Sequence, residues 1–298
     1  MGVDRPEEDD LPRPDDTVRS ATDRTSRIAV EERDRFEYFD ALCAAVDDAS
    51  QERWATAVDR FKHSWAEHCD RWPQAARTSP DRSADPPGSW RGDSGRYLDT
   101  AANAEVEERC ARIADIERTV ITPAMREIES QDPERHLVGL DHRLKGPDRL
   151  KDKVAADIQE KGRTTSEAIA MAKDVIRYTF VYGDDHYSEG IETDIARMEA
   201  RGYQRVEARN TWNEAERYKG INSRWSDPAS GQLFEVQFHT EASYEAKQLT
   251  HCAYERARDP TTSRAELREL HQLQGDIYRQ VFVPPGATDV ADCPKESM

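Results

Sequence analysis

"FEVQFHT", Phe234 to Thr240, alternates without a break. In an extended chain Phe234, Val236 and Phe238 point to one side, and Glu235, Gln237 and His239 to the other. One side is therefore a core face, and its reverse carries an acid, an amide and an imidazole in a row. A half-buried strand facing water has such a row; so does a strand that floors a cleft. "DPASG" (Asp227 to Gly231) supplies a turn before the strand, and a helix-like run from Glu241 to Arg258 comes after it. Upstream, "DVIRYTFVY" (Asp174 to Tyr182) is rich in β-branched and aromatic residues and reads as a strand. "YQRVEARNTW" (Tyr203 to Trp212) and "KGINSRW" (Lys219 to Trp225) read as two more. A helix is predicted between the first and second, from about His186 to Arg201, closed by Gly202. The order α, β, α, β, β, β, α predicts an α/β (α+β) fold, a mixed sheet with flanking helices.

Further out, residues 1–33 are rich in Asp, Glu, Arg and Pro and are expected to be a disordered acidic leader. Residues 34–135 read as helical. Phe36, Phe39, Cys43 and Val46, then Trp54, Val58, Phe61, Trp65 and Trp72, recur at three- and four-residue steps. Pro73 to Arg96 has the composition of a loop. A further helix carries Val106, Cys110, Ile113, Ile116 and Val120, with Pro123 kinking or ending it. Residues 136–260 are predicted to form the chemical domain, and 261–298 a helix (Arg264 to Val281) and tail. Within the domain, "TTSEAIAMAK" reads as a short helix capped by Ser166 or Thr165.

The chain has 298 residues, 35% of them charged, with a formal net charge of −17. No apolar run is long enough to cross a bilayer, so no membrane association is expected. "MGVDRPEEDD" lacks the basic start and apolar core of a secretory signal. The expectation is a cytoplasmic protein, or one delivered into a target cell's cytoplasm by another route. Five scattered cysteines without a C-x-x-C pair argue against a disulfide framework or a zinc knuckle. The acidity excludes broad nonspecific nucleic-acid binding, which needs basic surface.

Polar groups on the strands converge in three sets: Asp174 and Arg177; Tyr218, Lys219 and Asn222; Glu235, Gln237 and His239. Two carboxylates at neighbouring strand positions suit a Mg²⁺ that takes its other ligands from a triphosphate and water. Arg143, Lys145, Arg149, Lys151 and Lys153 form a basic cluster inside an acidic chain, fit to neutralise such a triphosphate. On a helix Arg149 and Lys153 share a face. Plainer readings stand beside each. Basic residues mixed with Asp148 and Asp152 also make a solvated, salt-bridged face; a strand-edge Asp also caps; a lone Tyr also packs. His251 and Cys252 have no partners at metal-ligand spacing.

From Leu140 to Glu255 the order of these blocks resembles the RelA/SpoT-type alarmone synthetases, pyrophosphokinases with small and toxin relatives. "RLKGPDRLKDK" is similar to the family's ATP-contacting helix, which implies ATP roles for Arg143, Lys145 and Lys153; Arg149 stands where a Ser is usual. "AKDVIRYTF" is similar to the strand Asp-Ile-x-Gly-x-Arg, with Arg177 as its Arg. The family's metal-binding Asp then falls on Ala172, and Asp174, one pleat along on the same face, is expected to substitute. "YKGIN" is similar to Tyr-Arg-Ser-x-His, whose Tyr stacks on the acceptor base; Tyr218 matches, Lys219 stands at the Arg and Asn222 replaces the His. "FEVQFHT" is similar to Glu-Ile-Gln-x-Arg-Thr, whose Glu is catalytic; Glu235 matches, and His239 replaces the Arg. "THCAYE" is similar to a downstream His-x-x-Tyr-Lys signature.

The resemblance implies a nucleotidyltransferase-type mixed sheet, Mg²⁺, and ATP as pyrophosphate donor. Glu235 and Asp174 become the catalytic and metal-binding acids. Arg143, Lys145, Lys153, Arg177, Tyr218, Lys219, Asn222, Gln237 and His239 become nucleotide ligands. The implied acceptor is a hydroxyl of a guanosine or adenosine nucleotide, giving a (p)ppGpp- or (p)ppApp-type alarmone, or of tRNA, which fits a growth-inhibiting toxin. The N-terminal helices would then dock an antitoxin, a regulatory partner or a second copy. Ala172 keeps a second reading open, a noncatalytic nucleotide sensor.

Overall fold

The computed structural model describes residues 48–74, 80–172, 174–212 and 218–293. The expected leader and the helix through Phe36 and Val46 lie outside the described residues. The chain divides into two compact units, Met1–Arg53 and Trp54–Met298, and the sheet with its surrounding helices belongs to the second.

Helix α1 (Asp48–Arg71) buries Val58 and Phe61, with Trp54 and Trp65 partly covered, as the three- and four-residue spacing requires. The segment read as a loop holds a small hairpin, β1 (Trp90–Arg91) against β2 (Tyr97–Leu98). Two-residue strands are too short to show a period of two. Helix α2 (Thr100–Ile116) starts at Asp99, whose side chain accepts from the Ala102 amide. Pro123 does not end the helical run. A five-residue π turn, Glu117–Ile121, leads directly into α3 (Thr122–Ser130), with Pro123 in its first turn. There the missing N–H removes no bond the helix needs. The wide turn also brings Glu117 inside, 3% exposed.

Strand β3 (Arg135–Val138) has no counterpart in the sequence reading, because a buried Arg135, paired with Asp194, disguises its inward face as polar. Helix α4 (Pro147–Lys161) starts on its proline and stops at Gly162, whose φ is +65°. It starts four residues into the basic block, so Arg143 and Lys145 precede the helix. Helix α5 (Thr165–Ala170) is capped one residue earlier than expected, by Thr164 in a reciprocal box with Glu167. Strand β4 (Arg177–Tyr182) begins three residues after Asp174. Helix α6 (Tyr187–Ala200) ends before Gly202, at φ +86°, as expected. Then come β5 (Gln204–Asn210), β6 (Ile221–Ser226) and β7 (Leu233–Thr240). The predicted helix over Glu241 to Arg258 is two, α7 (Glu241–Leu249) and α8 (His251–Ala257), before α9 (Arg264–Tyr278).

The five-stranded sheet has the order β3-β4-β7-β6-β5, with β4 and β7 parallel and the other pairs antiparallel. It is a mixed sheet with helices around it. Phe234, Val236 and Phe238 are fully buried alongside Tyr178, Phe180, Tyr182 and Trp225, and the rings of Phe180 and Phe238 stack at 6.4 Å. Each such ring contributes about 2–3 kcal/mol by leaving water. That fixes the register, because a slip of one residue would send this set to the opposite face. The polar row of β7 is therefore held on the reverse. Among the described residues no helix is long and apolar enough to cross a membrane.

Candidate active site

The parallel pairing sets Arg177 beside Glu235, and Thr179 beside Gln237. A third segment joins from β4's outer side. The Arg177 amide donates to the Arg143 carbonyl (2.7 Å), the Lys145 amide donates to the Val175 carbonyl (2.8 Å), and Leu144 bridges Ile176. This delivers Lys145 to Asp174. Helix α4 delivers Lys153 to the same acid.

The contacts form one chain. Lys145 Nζ donates to Asp174 Oδ2 at 2.7 Å, and Lys153 Nζ donates to Asp174 Oδ1. Arg177 Nη2 lies 3.9 Å from Asp174 Oδ2 and donates to Glu235 Oε2 at 3.2 Å. Gln237 Nε2 donates to Glu235 Oε1 at 2.6 Å, and Lys247 Nζ donates to Gln237 Oε1 at 2.5 Å. Burial works to raise the Asp174 carboxyl's pKa, but the hydrogen bonds from Lys145 and Lys153 override it and hold the group well below the usual carboxylate range. Burial lowers Lys145, against the pull of Asp174. Burial acts the same way on Arg177, but Glu235 and then Asp174 outweigh it and raise its pKa. Burial and repulsion from Arg177, opposed by Glu235, bring the Lys247 ammonium down to about 7.

Deeper along the strand the row becomes neutral. His239 is fully buried; its Nε2 is 2.8 Å from the Tyr218 hydroxyl and its Nδ1 2.8 Å from Ser243 Oγ. Burial, then the charge on Lys247, hold the imidazole well below its ordinary pKa. The Tyr218 hydroxyl also meets Asn222 Oδ1 at 2.8 Å, and its ring stands edge-on to His239 at 5.3 Å. Gly220, at φ +148°, lets this happen: a Cβ there would sit 2.7 Å from His239 Cε1.

Asp174, Glu235, Arg177, Lys145, Lys153 and Gln237 are thus brought together. Tyr218, Asn222 and His239 form an adjoining cluster, tied in by the pairing of Asn222 with Gln237. Two predicted ligands go elsewhere. The Arg143 guanidinium turns to Glu117 Oε1 (2.6 Å) and the Leu140 carbonyl (2.7 Å), drawn by the acid the π turn carries inward. Lys219 is buried with its Nζ on the Trp212 carbonyl (3.0 Å), because neighbours in an extended run point to opposite sides. Of the remaining basic cluster, Lys151 pairs with Glu107 on α2 and Arg149 is exposed. Tyr254 of "THCAYE" is 47% exposed on α8. Sequence reasoning missed Lys247. Its signal was Thr240 capping α7, with Ser243 and Lys247 four residues apart on the face turned back to β7.

Three cations, Lys145, Lys153 and Arg177, meet two carboxylates here and leave a locally positive spot on an acidic chain. Among the described residues no group of three or more His, Cys, Asp or Glu could hold a metal ion. The donor set, two acids on either side of one guanidinium nitrogen, fits Mg²⁺ only as a companion of phosphate, since Mg²⁺ accepts one or two protein carboxylates and takes the rest from phosphates and water.

No protein-family model matches the chain, and no curated protein matches it. Among solved structures it is similar to a GTP pyrophosphokinase family protein from Streptococcus pneumoniae, at 14% identity and a TM-score of 0.36, covering 60% of this chain and 84% of that one. It is also similar to small alarmone synthetase 1 from Bacillus subtilis, at 18% identity and a TM-score of 0.37, over 60% and 87% of the two chains. That synthetase bound to its product pppGpp matches at 16% identity and a TM-score of 0.34, over 60% and 88%.

Proposed function

We propose that this chain is a Mg²⁺-dependent pyrophosphokinase of the alarmone-synthetase type, with ATP as donor and a nucleotide or tRNA hydroxyl as acceptor. The observation that carries the reading is the convergence of Asp174, Arg177 and Glu235, distant in sequence, beside Lys145 and Lys153. Lys145, Lys153 and Arg177 would bind the triphosphate and offset the charge that develops on it. Asp174 and Glu235 are the residues that would hold Mg²⁺, which supplies further neutralisation of the phosphates. Glu235 accepts the proton of the attacking hydroxyl. The hydroxyl oxygen forms a bond to the β-phosphorus of ATP, the bond from that phosphorus to the α–β bridging oxygen breaks, and AMP leaves. Tyr218 and Asn222 border the acceptor's place. Gln237 orients Glu235, and His239 supports Tyr218 from beneath.

The acceptor classes are guanosine nucleotides, adenosine nucleotides and the end of tRNA, and a growth-arresting role goes with each. The test offers the protein labelled ATP and Mg²⁺ with GDP, GTP, adenosine nucleotides or tRNA, and identifies the product by mass spectrometry. A pyrophosphorylated product that disappears in Glu235→Gln supports the reading. Equal ATP binding by both proteins, with no product from the wild type, overturns it. That outcome belongs to the second reading, a noncatalytic nucleotide sensor. It is favoured by one observation: Asp174 is already held by two lysines, and Ala172 offers no second carboxylate nearby. Expression of residues 136–298 with and without the preceding half tests whether the N-terminal region restrains growth arrest.

A further inference from the structure

Lys247 enters the site from α7, through an amide. Its Nζ donates to Gln237 Oε1 at 2.5 Å, and Gln237 Nε2 donates to Glu235 Oε1 at 2.6 Å. A glutamine amide has two ends of nearly the same shape, and its partners decide which way round it sits. Here the carboxylate decides: it only accepts, so the NH₂ must face Glu235 and the oxygen is left to accept from Lys247. Arg177 holds the second oxygen of Glu235 at 3.2 Å. The carboxylate is therefore gripped on both sides, by a guanidinium directly and by an ammonium acting at one remove.

The surroundings leave Lys247 little else to do. It is half-buried, 5.3 Å above the ring of Tyr244 on its own helix, with Arg177 of β4 and Glu235 and His239 of β7 as its charged and titratable neighbours. Gln237 is 5% exposed, so water does not compete for its amide. The carboxylate sets which end of the amide faces it; the contact from Lys247 on the other end holds the amide in that place.

We propose that Lys247 is a positioning residue that locks the Gln237 amide and, through it, the orientation of the Glu235 carboxylate. The functional half of this claim rests on Glu235 being the base of the pyrophosphokinase; the lock itself is a claim about the fold and is tested separately. In the full-length protein, the side-chain amide signals of Gln237 are identified by nitrogen NMR from their loss in Gln237→Leu. They are then followed in Lys247→Met, Lys247→Gln and Lys247→Arg, of which any folded pair suffices. The expected result is that Met and Gln move or broaden the signals and Arg leaves them closer to wild type. With ATP and acceptor, Met lowers kcat by about tenfold or more while KM stays within about twofold, the pattern of a misplaced base rather than a lost ligand. Unmoved amide signals overturn the lock. A rise in KM with kcat unchanged overturns the positioning role and makes Lys247 a substrate ligand. Signals that move in the Lys247 variants, alongside a wild type that transfers nothing, uphold the lock and sink the enzyme reading instead.

Discussion

The two ends of the polar row on β7 have opposite characters. At the start, Glu235 is 17% exposed and Asp174 31%, and both are met by lysines or arginine. At the far end His239 is fully buried, neutral, and answered by the hydroxyls of Tyr218 and Ser243. One alternating pattern therefore runs from a charged mouth to a dry floor. The period of two names the face a residue takes; its depth decides whether it carries charge there. On the proposed reading, chemistry belongs at the mouth, where a polyanion can arrive. The floor holds the shape.

The largest effect that sharpens this contrast is Glu235→Gln, which keeps the size and removes the base. Transfer should fall by about 10²- to 10⁴-fold, measured in single turnovers, while ATP binding stays near wild type. Retained transfer would place the chemistry elsewhere. At the floor, Gly220→Ala puts a methyl 2.7 Å from His239 Cε1 at a backbone angle side chains rarely adopt. Denaturant unfolding should show a loss of about 1–3 kcal/mol, and a loss of only a few tenths would break the picture of a packed floor.

Two substitutions compare the ends directly. Tyr218→Phe leaves His239 Nε2 and Asn222 Oδ1 without their shared hydroxyl, for a loss of about 1–3 kcal/mol. Lys153→Met removes an ion pair from a lysine that is 37% exposed, and stability should change by less than about 1 kcal/mol while ATP affinity drops. The reverse ranking would dissolve the distinction between mouth and floor.

The smallest effect lies away from the row and obeys the same rule. Burial pushes Glu245 up to about 7, against the hydrogen bond from Trp54 Nε1 and the pull of Lys62. Its folded pKa exceeds its unfolded one, so the protonated form favours the native state. That contribution is complete below the ordinary carboxylate range and is lost as pH rises toward 7 and past it. Glu245→Gln should flatten the fall of melting temperature across this window and raise it slightly above pH 7.

The sequence disclosed the sheet's middle most clearly. β7 spans Leu233–Thr240, one residue more than the alternating stretch Phe234 to Thr240, because a large apolar residue at every second position declares the core face of a strand. β3 escaped because the pairing of Arg135 with Asp194 made a buried strand read as charged. The π turn escaped because Pro123 normally announces an ending, and nothing local says that a wider turn has already absorbed it. At the site, strand residues declared their face and so their company. Arg143 and Lys219 did not, since each was grouped with neighbours in sequence whose side chains go another way. Lys247 lay hidden because a helix gives no face to a single lysine until the strand beneath it is known.

The double grip on Asp174 has one more consequence. An ammonium has three donors, so each lysine can keep its hold on Asp174 while other donors still face the mouth. On the proposed reading a phosphate group would meet lysines that Asp174 already holds in place, so little side-chain freedom is left to lose when it binds.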